Sequence, residues 1–339
     1  MADCTEVDVS ESSWSPEFIQ ELLSSAERTA LLHHLSFLCL GGFPKLEYLI
    51  REQAIETQLL FRSSEAVLLK CVGTSSNMVT SLFPLVIEGI ENNKPVLVVK
   101  YLEKARTWIK DIIRAVDDIV TRYKHQTQRV ETCTTDVVQE QKKTNENVKK
   151  HSDEMKAVED ALVELELELS KIVSENNSPL NQEWDIKIRQ TDLQMKLANC
   201  KIQQGAIPDP VHLEEVQQCL NQIRQILIDL KEFWKKVGAT LETLKDKTFT
   251  GEELIEDLDD LKEEFLESIE NAKQCWKRFG EYCQKAQGIF SVQSKDAYKF
   301  LEINPSSFLK DEWNKQYESI MEKLKKISPQ GSTTAAITE

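Results

Sequence analysis

The side chains best suited to catalysis or metal binding are five histidines and eight cysteines. Metal sites need ligands at short, regular spacings, such as two cysteines separated by two residues. No such cysteine pair occurs, and no cysteine lies near a histidine at a spacing typical of zinc. His33 and His34 are adjacent, so on a helix they point in different directions, which favours a partly buried pair beside a packing face. The sequence therefore predicts no metal site and no cofactor.

Other patterns that support catalysis are equally scarce. Gly41, Gly42 and Gly73 do not form a phosphate-binding loop, which needs glycines followed by Lys and Ser or Thr. The acidic run at 252–264 lacks the ligand spacing of an EF-hand and is predicted to be the solvated side of a helix. We therefore expect no enzyme and no small-molecule substrate. A ligand pocket between helices stays open as an alternative, although no converging polar groups identify one.

Composition narrows the class of partner. The chain of 339 residues has a formal charge of −15, which leaves no basic face for a phosphate backbone and argues against nucleic-acid binding. With 40% apolar and 29% charged residues, and few glycines and prolines, the composition is typical of a soluble helical protein. The acidic N-terminal sequence lacks a basic segment followed by an apolar one, so we expect a cytoplasmic chain with reduced cysteines.

The strongest structural signal covers residues 211–286, where large apolar side chains recur three or four positions apart. This spacing predicts two long amphipathic helices. Thr250 and Glu253 form a capping box between them, so the second helix should begin there and fold back on the first. Three tryptophans on these and similar apolar stripes are predicted to be large core side chains that join helices: Trp108, Trp234 and Trp276.

A second pattern extends from Pro95 to Pro179 without an intervening proline or glycine. A continuous helix of this length would be about 120 Å long, at about 1.5 Å per residue. Its middle, 139–154, is polar on almost every face, so we expect that section to be bent, loosely packed or frayed. Its last part carries an unbroken heptad pattern that predicts a self-association seam: Met155, Val158, Leu162, Leu165, Leu169 and Ile172.

A stretch of low charge lies earlier, from Ala66 to Ile90. Residues 73–77 divide it and Pro84 interrupts it, which favours core helices joined by a polar turn over one transmembrane helix. Membrane insertion of this stretch is kept as the alternative. The candidate membrane-contact residues are Leu68, Leu69, Val79, Leu82, Phe83, Leu85, Val86 and Ile87.

Together these patterns predict an all-α protein, an elongated bundle of long antiparallel amphipathic helices with coiled-coil-like packing. The expected division is a disordered lead (1–14), short N-terminal helices (15–92), a long-helix body (93–290), a C-terminal helical segment (291–328) and a disordered tail (329–339).

Parts of this body resemble a known family. Residues 105–113 read Ala-Arg-Thr-Trp-Ile-Lys-Asp-Ile-Ile, and residues 270–276 read Glu-Asn-Ala-Lys-Gln-Cys-Trp. With Trp234, Leu241 and Leu244 between them, this order of tryptophan-bearing helices resembles the haemolysin BL-type branch of the α-pore-forming toxins. The resemblance covers roughly residues 85–290 and implies a helical body that acts with partner subunits at membranes.

The chain departs from that family where membrane insertion would occur. The resemblance implies a long apolar hairpin before the C-terminal helices, but residues 169–207 fill this place and carry many charged side chains. Each charge costs a few kcal/mol to place in hydrocarbon. Pore formation would therefore need the 66–90 stretch or a partner subunit.

Two hypotheses for function follow. The first is a non-catalytic helical-bundle protein that acts by protein–protein assembly, with a partner or by self-association, and conditionally at a membrane as a relative of the α-pore-forming toxins. The alternative is a cytosolic coiled-coil adaptor or scaffold that dimerises through the 155–172 seam.

Overall fold

The computed structural model describes residues 16–92, 94–145, 153–174, 180–203, 207–250 and 258–327. Within these ranges the chain is all-α and contains no strand, so the predicted fold class is confirmed. The predicted lead at 1–14 and tail at 329–339 lie outside the described residues. The helices are α1 (Pro16–Leu40), α2 (Pro44–Asn77), α3 (Phe83–Glu91), α4 (Pro95–Asn145), α5 (Asp153–Ser174), α6 (Leu180–Gln203), α7 (Val211–Thr250), α8 (Leu258–Lys295) and α9 (Lys310–Lys326).

Three short helical turns complete these elements. A π-helical turn, Met78–Leu82, joins α2 to α3. Two 3-10 turns, Lys299–Glu302 and Pro305–Ser307, lie between α8 and α9.

The chain divides into two compact units, each assembled from segments that are distant in sequence. Unit 1 contains residues 16–22, Leu60–Tyr123 and Ile223–Ser291, and unit 2 contains Leu23–Leu59, Lys124–Gln222 and 292–327. This division differs from the expected boundaries at 92/93 and 290/291, because helix pairing rather than sequence order decides which segments pack together.

The longest helix, α4, shows why the other helices are needed. Most of its buried side chains recur at steps of three or four residues: Val98, Leu102, Ala105, Ile109, Ile112, Val116, Ile119, Tyr123, Gln126, Val130, Cys133, Val137 and Gln141. A stripe with this period occupies one narrow face of a helix. Neighbouring helices must therefore cover that face along most of the length of α4.

Two glutamines in this stripe have their amide donors satisfied. Gln126 Nε2 donates a hydrogen bond to the carbonyl oxygen of Gln53 at 3.0 Å. Gln141 Nε2 donates to the carbonyl oxygen of Ile207 at 3.2 Å and to Asp209 Oδ1 at 2.5 Å. Buried amides with such partners avoid the desolvation cost of unpaired donors. Gln141 therefore anchors the start of the section that was expected to be loosely packed.

Two expected features of the N-terminal third are corrected. The helices within 15–92 were expected to be short, but α1 has 25 residues and α2 has 34. Residues 73–77, predicted to be a polar turn, continue α2. Ser75 serves packing instead: it is buried, and a Cβ added at Gly280 of α8 would lie 3.1 Å from the Cβ of Ser75.

The predicted long helix corresponds to α4, which the structure describes as far as Asn145, and to α5, which it describes from Asp153. Residues 146–152 lie outside the described residues, as does the part of the predicted capping box after Thr250.

The turn between α3 and α4 brings these two helices into close contact in unit 1. The Lys94 N–H donates to the carbonyl oxygen of Gly89 at 2.8 Å. A Cβ at position 89 would lie only 2.8 Å from Val98 Cγ2. Pro95 then begins α4 at a position where its missing N–H has no intrahelical role. Glycine at 89 therefore permits the close approach of Val98.

Replacement of this glycine tests the contact. Gly89→Ala should lower the free energy of unfolding by about 1 kcal/mol, because overpacking costs roughly 1–3 kcal/mol and exceeds the gain in helix propensity. In a Val98→Ala background the same change should be neutral or stabilising, because the clashing methyl group is gone. Urea unfolding of the four proteins measures this double-mutant cycle. An equal loss in both backgrounds would contradict the contact.

Candidate assembly and membrane-contact surfaces

Four aromatic side chains of α7 and α8 form one cluster in unit 1. The ring of Trp234 packs edge-on against Phe279 with the centroids 5.1 Å apart, and its centroid lies 5.2 Å from that of Trp276. Phe233 stacks on Phe279 at 4.5 Å. Trp234 is fully buried and Trp276 nearly so. These two tryptophans join α7 and α8 within one chain, and they leave little aromatic surface for a partner.

The third tryptophan, Trp108, occupies a different position. It is half-buried, and Lys104 Nζ lies 5.4 Å from its ring centroid. Ile109 and Ile112 hold the core positions on this part of α4. The expectation of a core side chain is therefore corrected: Trp108 lies at the edge of the buried stripe, where the amphipathic lysine approaches its ring.

The seam predicted on α5 is half-buried in the single chain at Val158, Leu162, Leu165 and Leu169, while the side chains of Met155 and Ile172 lie outside the described residues. Helix α5 packs against α6 in unit 2. A groove of about 430 Å³ there is lined by Leu165 together with Ile188 and Leu193 of α6. Helix α6 therefore provides an intramolecular partner for at least part of the stripe that was predicted to self-associate.

Residues on the opposite face of α5 are more accessible. Val163 is 65% exposed and Leu167 is 58% exposed. They lie four positions apart, which places both on one side of the helix. Two apolar side chains make a narrower surface than a complete heptad seam.

The eight candidate membrane-contact residues differ in how far they are buried. Leu68, Leu82, Phe83 and Val86 are buried, Val79 and Ile87 are half-buried, and Leu69 and Leu85 are exposed. A buried side chain can reach lipid only after the surrounding helices open. In this conformation Leu69 and Leu85 are the most accessible members of the set.

Further exposed apolar residues lie at the start of α4. Val96 is 60% exposed, Leu97 is 37% exposed, and Leu85 of α3 is 38% exposed; we call these three residues the apolar edge. The signal was present in the sequence, since residues 96–99 are four consecutive apolar residues. Four successive helical positions span about 300° and cannot all face one core. Val98 and Val99 are buried, and the other two remain outside.

A groove of about 470 Å³ opens in unit 2 beside the turn that follows α8, and Arg51 lines it. Arg51 Nε donates to Glu47 Oε1 at 2.6 Å, and its terminal nitrogens donate to the carbonyl oxygens of Leu301 and Ile303. Its guanidinium also lies 5.1 Å from the ring centroid of Phe37. Arg51 thus holds the turn on α2, which gives this arginine a structural role.

The adjacent histidines point into different surroundings, as expected. His33 is fully buried with Nδ1 3.0 Å from the carbonyl oxygen of Thr29, whereas His34 stacks on Phe300 at 4.5 Å. His212 is also buried. Burial lowers the pKa of His33 and of His212 to about 4. Across the part of the chain that the structure describes, no three His, Cys, Asp or Glu residues are grouped to hold a metal ion.

The arrangement of the helices can be compared with solved structures. The soluble form of SmhA, from the tripartite α-pore-forming toxin Smh of Serratia marcescens, matches with a TM-score of 0.57 at 11% sequence identity. The match covers 84% of this chain and 97% of SmhA. The fold is similar to that of an α-pore-forming toxin component. The resemblance predicted from the sequence is confirmed as a likeness to this SmhA-like fold.

Other matches are weaker. A second crystal form of SmhA has a TM-score of 0.47 at 11% identity, covering 84% of this chain and 97% of SmhA. The Bacillus cereus HblL1 toxin component has a TM-score of 0.30 at 10% identity, covering 91% and 94% of the two chains. No protein-family model and no curated protein matches the sequence.

Among the helices that the structure describes in this chain, none is both long enough and apolar enough to cross a bilayer.

The difference in burial between two tryptophans gives a stability prediction. Trp234→Ala should lower the free energy of unfolding by about 3–5 kcal/mol, the range for a buried aromatic side chain. Trp108→Ala, the matched control, should cost about 1 kcal/mol, because a half-buried ring with one cation contact contributes less. Urea unfolding followed by far-ultraviolet circular dichroism measures both. Equal losses would contradict the placement of these two side chains.

The buried histidines predict a loss of stability in acid. In the unfolded chain a histidine has a pKa of about 6.5, so between about pH 6.5 and pH 4 the unfolded state binds more protons than the folded state. Stability should therefore fall as the pH drops through this window, by up to about 1.4 kcal/mol per pH unit for each buried histidine. Above about pH 7 these histidines should no longer make the free energy of unfolding depend on pH.

Urea unfolding at several pH values measures this slope for the wild-type chain and for His33→Phe, which keeps an aromatic ring beside Tyr298. The variant should have the shallower slope. His125→Phe, at an exposed position, is the control and should keep the wild-type slope. The assignment to His33 is wrong if His33→Phe follows the wild type at every pH.

Proposed function

We propose that the protein acts without catalysis, by assembly of helical chains, and that the apolar edge of unit 1 is its contact with a membrane. The observation that carries the proposal is the exposure of Leu85, Val96 and Leu97 on helices whose other large apolar side chains are buried or half-buried. The SmhA-like fold supports it, since the compared protein belongs to a tripartite α-pore-forming toxin. The partner chains are other helical proteins or further copies of this one.

The strength of one contact can be bounded. Burying the exposed parts of three Val or Leu side chains would stabilise a contact by about 3 kcal/mol. That free energy corresponds to a dissociation constant in the millimolar range or weaker. A single chain would bind a bilayer weakly, and several chains held in one assembly would bind much more tightly because their contacts act together. Assembly and membrane contact are therefore linked in this proposal.

Charges around the apolar edge are mixed in sign. Exposed Lys94 and Lys100 lie near exposed Glu88 and Glu91 along the same segment. Opposite charges at similar numbers give little preference for an anionic surface. We propose that apolar contact, rather than charge, provides most of the attraction.

We also propose that the chain functions in the cytoplasm. Five cysteines within the described ranges, Cys39, Cys71, Cys133, Cys219 and Cys283, are buried and unbridged. Buried free thiols are typical of proteins in reducing compartments. Self-association through the α5 seam has less support, because α6 packs against α5 within the chain.

Flotation with liposomes tests the membrane contact. Wild-type protein should float with vesicles of neutral and of anionic lipid to similar extents, and Val96→Glu should reduce the bound fraction at least tenfold. Val163→Glu is the matched control, because it makes the same change at a similarly exposed valine of α5. It should bind as the wild type does. The proposed membrane contact is wrong if the wild type does not float at any lipid concentration, or if both variants lose the same share of the bound fraction.

A further inference from the structure

A buried cluster of sulfur and nitrogen atoms lies in unit 2, apart from the apolar edge. Cys39 is the second-last residue of α1, Met195 lies on α6, and His212 is the second residue of α7. The Sγ of Cys39 and the Nε2 of His212 each lie 3.1 Å from the Sδ of Met195. All three side chains are at most 3% exposed. Three different helices thus bring a thiol, a thioether and an imidazole to one point.

Hydrogen bonding explains this cluster poorly. A thioether is a weak acceptor, so it repays little of the cost of burying a thiol and an imidazole. His212 Nδ1 is buried and has no hydrogen-bond partner. An imidazole ring that is 97% removed from solvent therefore faces a sulfur atom on one side and has no polar partner on the other. A bound cation would give Nε2, whose neighbour is the weakly accepting thioether of Met195, a stronger partner, while Nδ1 lies on the other side of the ring.

We propose that Cys39, Met195 and His212 form a binding site for a soft monovalent metal ion, Cu(I). Thiolate and thioether sulfurs select Cu(I), and imidazole is also a ligand for copper. Zinc is a poorer fit, because its structural sites use four cysteine and histidine ligands and this site has two. Three ligands suit the low coordination number of a monovalent soft ion.

Charge balance favours the same ion. On binding, the Cys39 S–H bond breaks, a Cys39 S–Cu bond forms, and the proton leaves to the solvent. The copper stays in the monovalent state throughout, so no oxidant or reductant is needed. The thiolate and Cu(I) together are neutral, which suits a site that is closed to water, whereas a divalent ion would leave a net charge there.

The metal would tie three helices of unit 2 together. Helix α9 lies over this region, because Trp313 Nε1 donates to the carbonyl oxygen of Leu38 at 3.1 Å. Tyr317 of α9 donates to Asp192, three residues before Met195. Loading should therefore be slow in the folded protein and faster while the chain refolds. Sequence spacing alone gives no sign of this site, because its members are 156 and 17 residues apart.

Competition with a Cu(I) chelator tests the site. The full chain is loaded anaerobically with Cu(I), both in the folded state and during refolding from urea, and is then titrated with bathocuproine disulfonate. The wild type should hold one Cu(I) per chain with at least tenfold higher affinity than Met195→Leu. That variant is nearly isosteric, so its helical circular dichroism should be unchanged. Met321→Leu, at another buried methionine of unit 2, is the matched control and should bind as the wild type does.

Nuclear magnetic resonance separates this site from the other thiols. The chain has five methionines, and labelling their methyl groups with ¹³C should give one resonance that is absent in Met195→Leu. One equivalent of Ag(I), a diamagnetic substitute for Cu(I), should shift that resonance. The proposal is overturned if wild type and Met195→Leu retain copper equally after both loading procedures, or if the Met195 resonance does not move while the metal binds.

Discussion

Burial of an apolar face against neighbouring helices is the interaction on which this structure depends. On α4 the stripe extends from Val98 to Gln141, with one buried residue at every third or fourth position. A helix in isolation gains little stability from such a stripe, because most helical stability in proteins comes from tertiary packing. The positions of the aromatic cluster and of the apolar edge follow from which helices cover which stripes.

The faces of the helices could be predicted from the sequence, but their partners could not. Spacing alone located Trp234 and Trp276 on buried faces of α7 and α8. The same reasoning predicted a self-association seam on α5, whereas α6 packs against α5 in the chain. Periodicity shows which face of a helix is apolar, but it does not identify the helix or the chain that covers this face. The prediction of a turn at residues 73–77 was wrong for a related reason. The small side chain of Ser75 allows close helix packing, and the segment continues α2.

The candidate surface was predicted less well than the fold. Low charge density over residues 66–90 indicates burial and lipid contact equally, so four of the eight candidate residues proved to be core side chains. The exposure of Val96 and Leu97 can be predicted only once it is known that α4 begins at Pro95 and which of its faces is buried. The cluster around Met195 joins residues from three separate helices, and its geometry exists only after those helices have packed.

The two glutamines in the stripe of α4 have a mechanical consequence. A stripe that repeats every seven residues would look almost the same after a helix slid by one repeat, about 10 Å. Gln126 and Gln141 remove that freedom, because each amide meets its carbonyl acceptor at one alignment only. After a slide each buried donor would lose its partner, at a cost of about 1–3 kcal/mol. The two polar positions make the stripe less apolar, and they also fix the register of α4 against its neighbours.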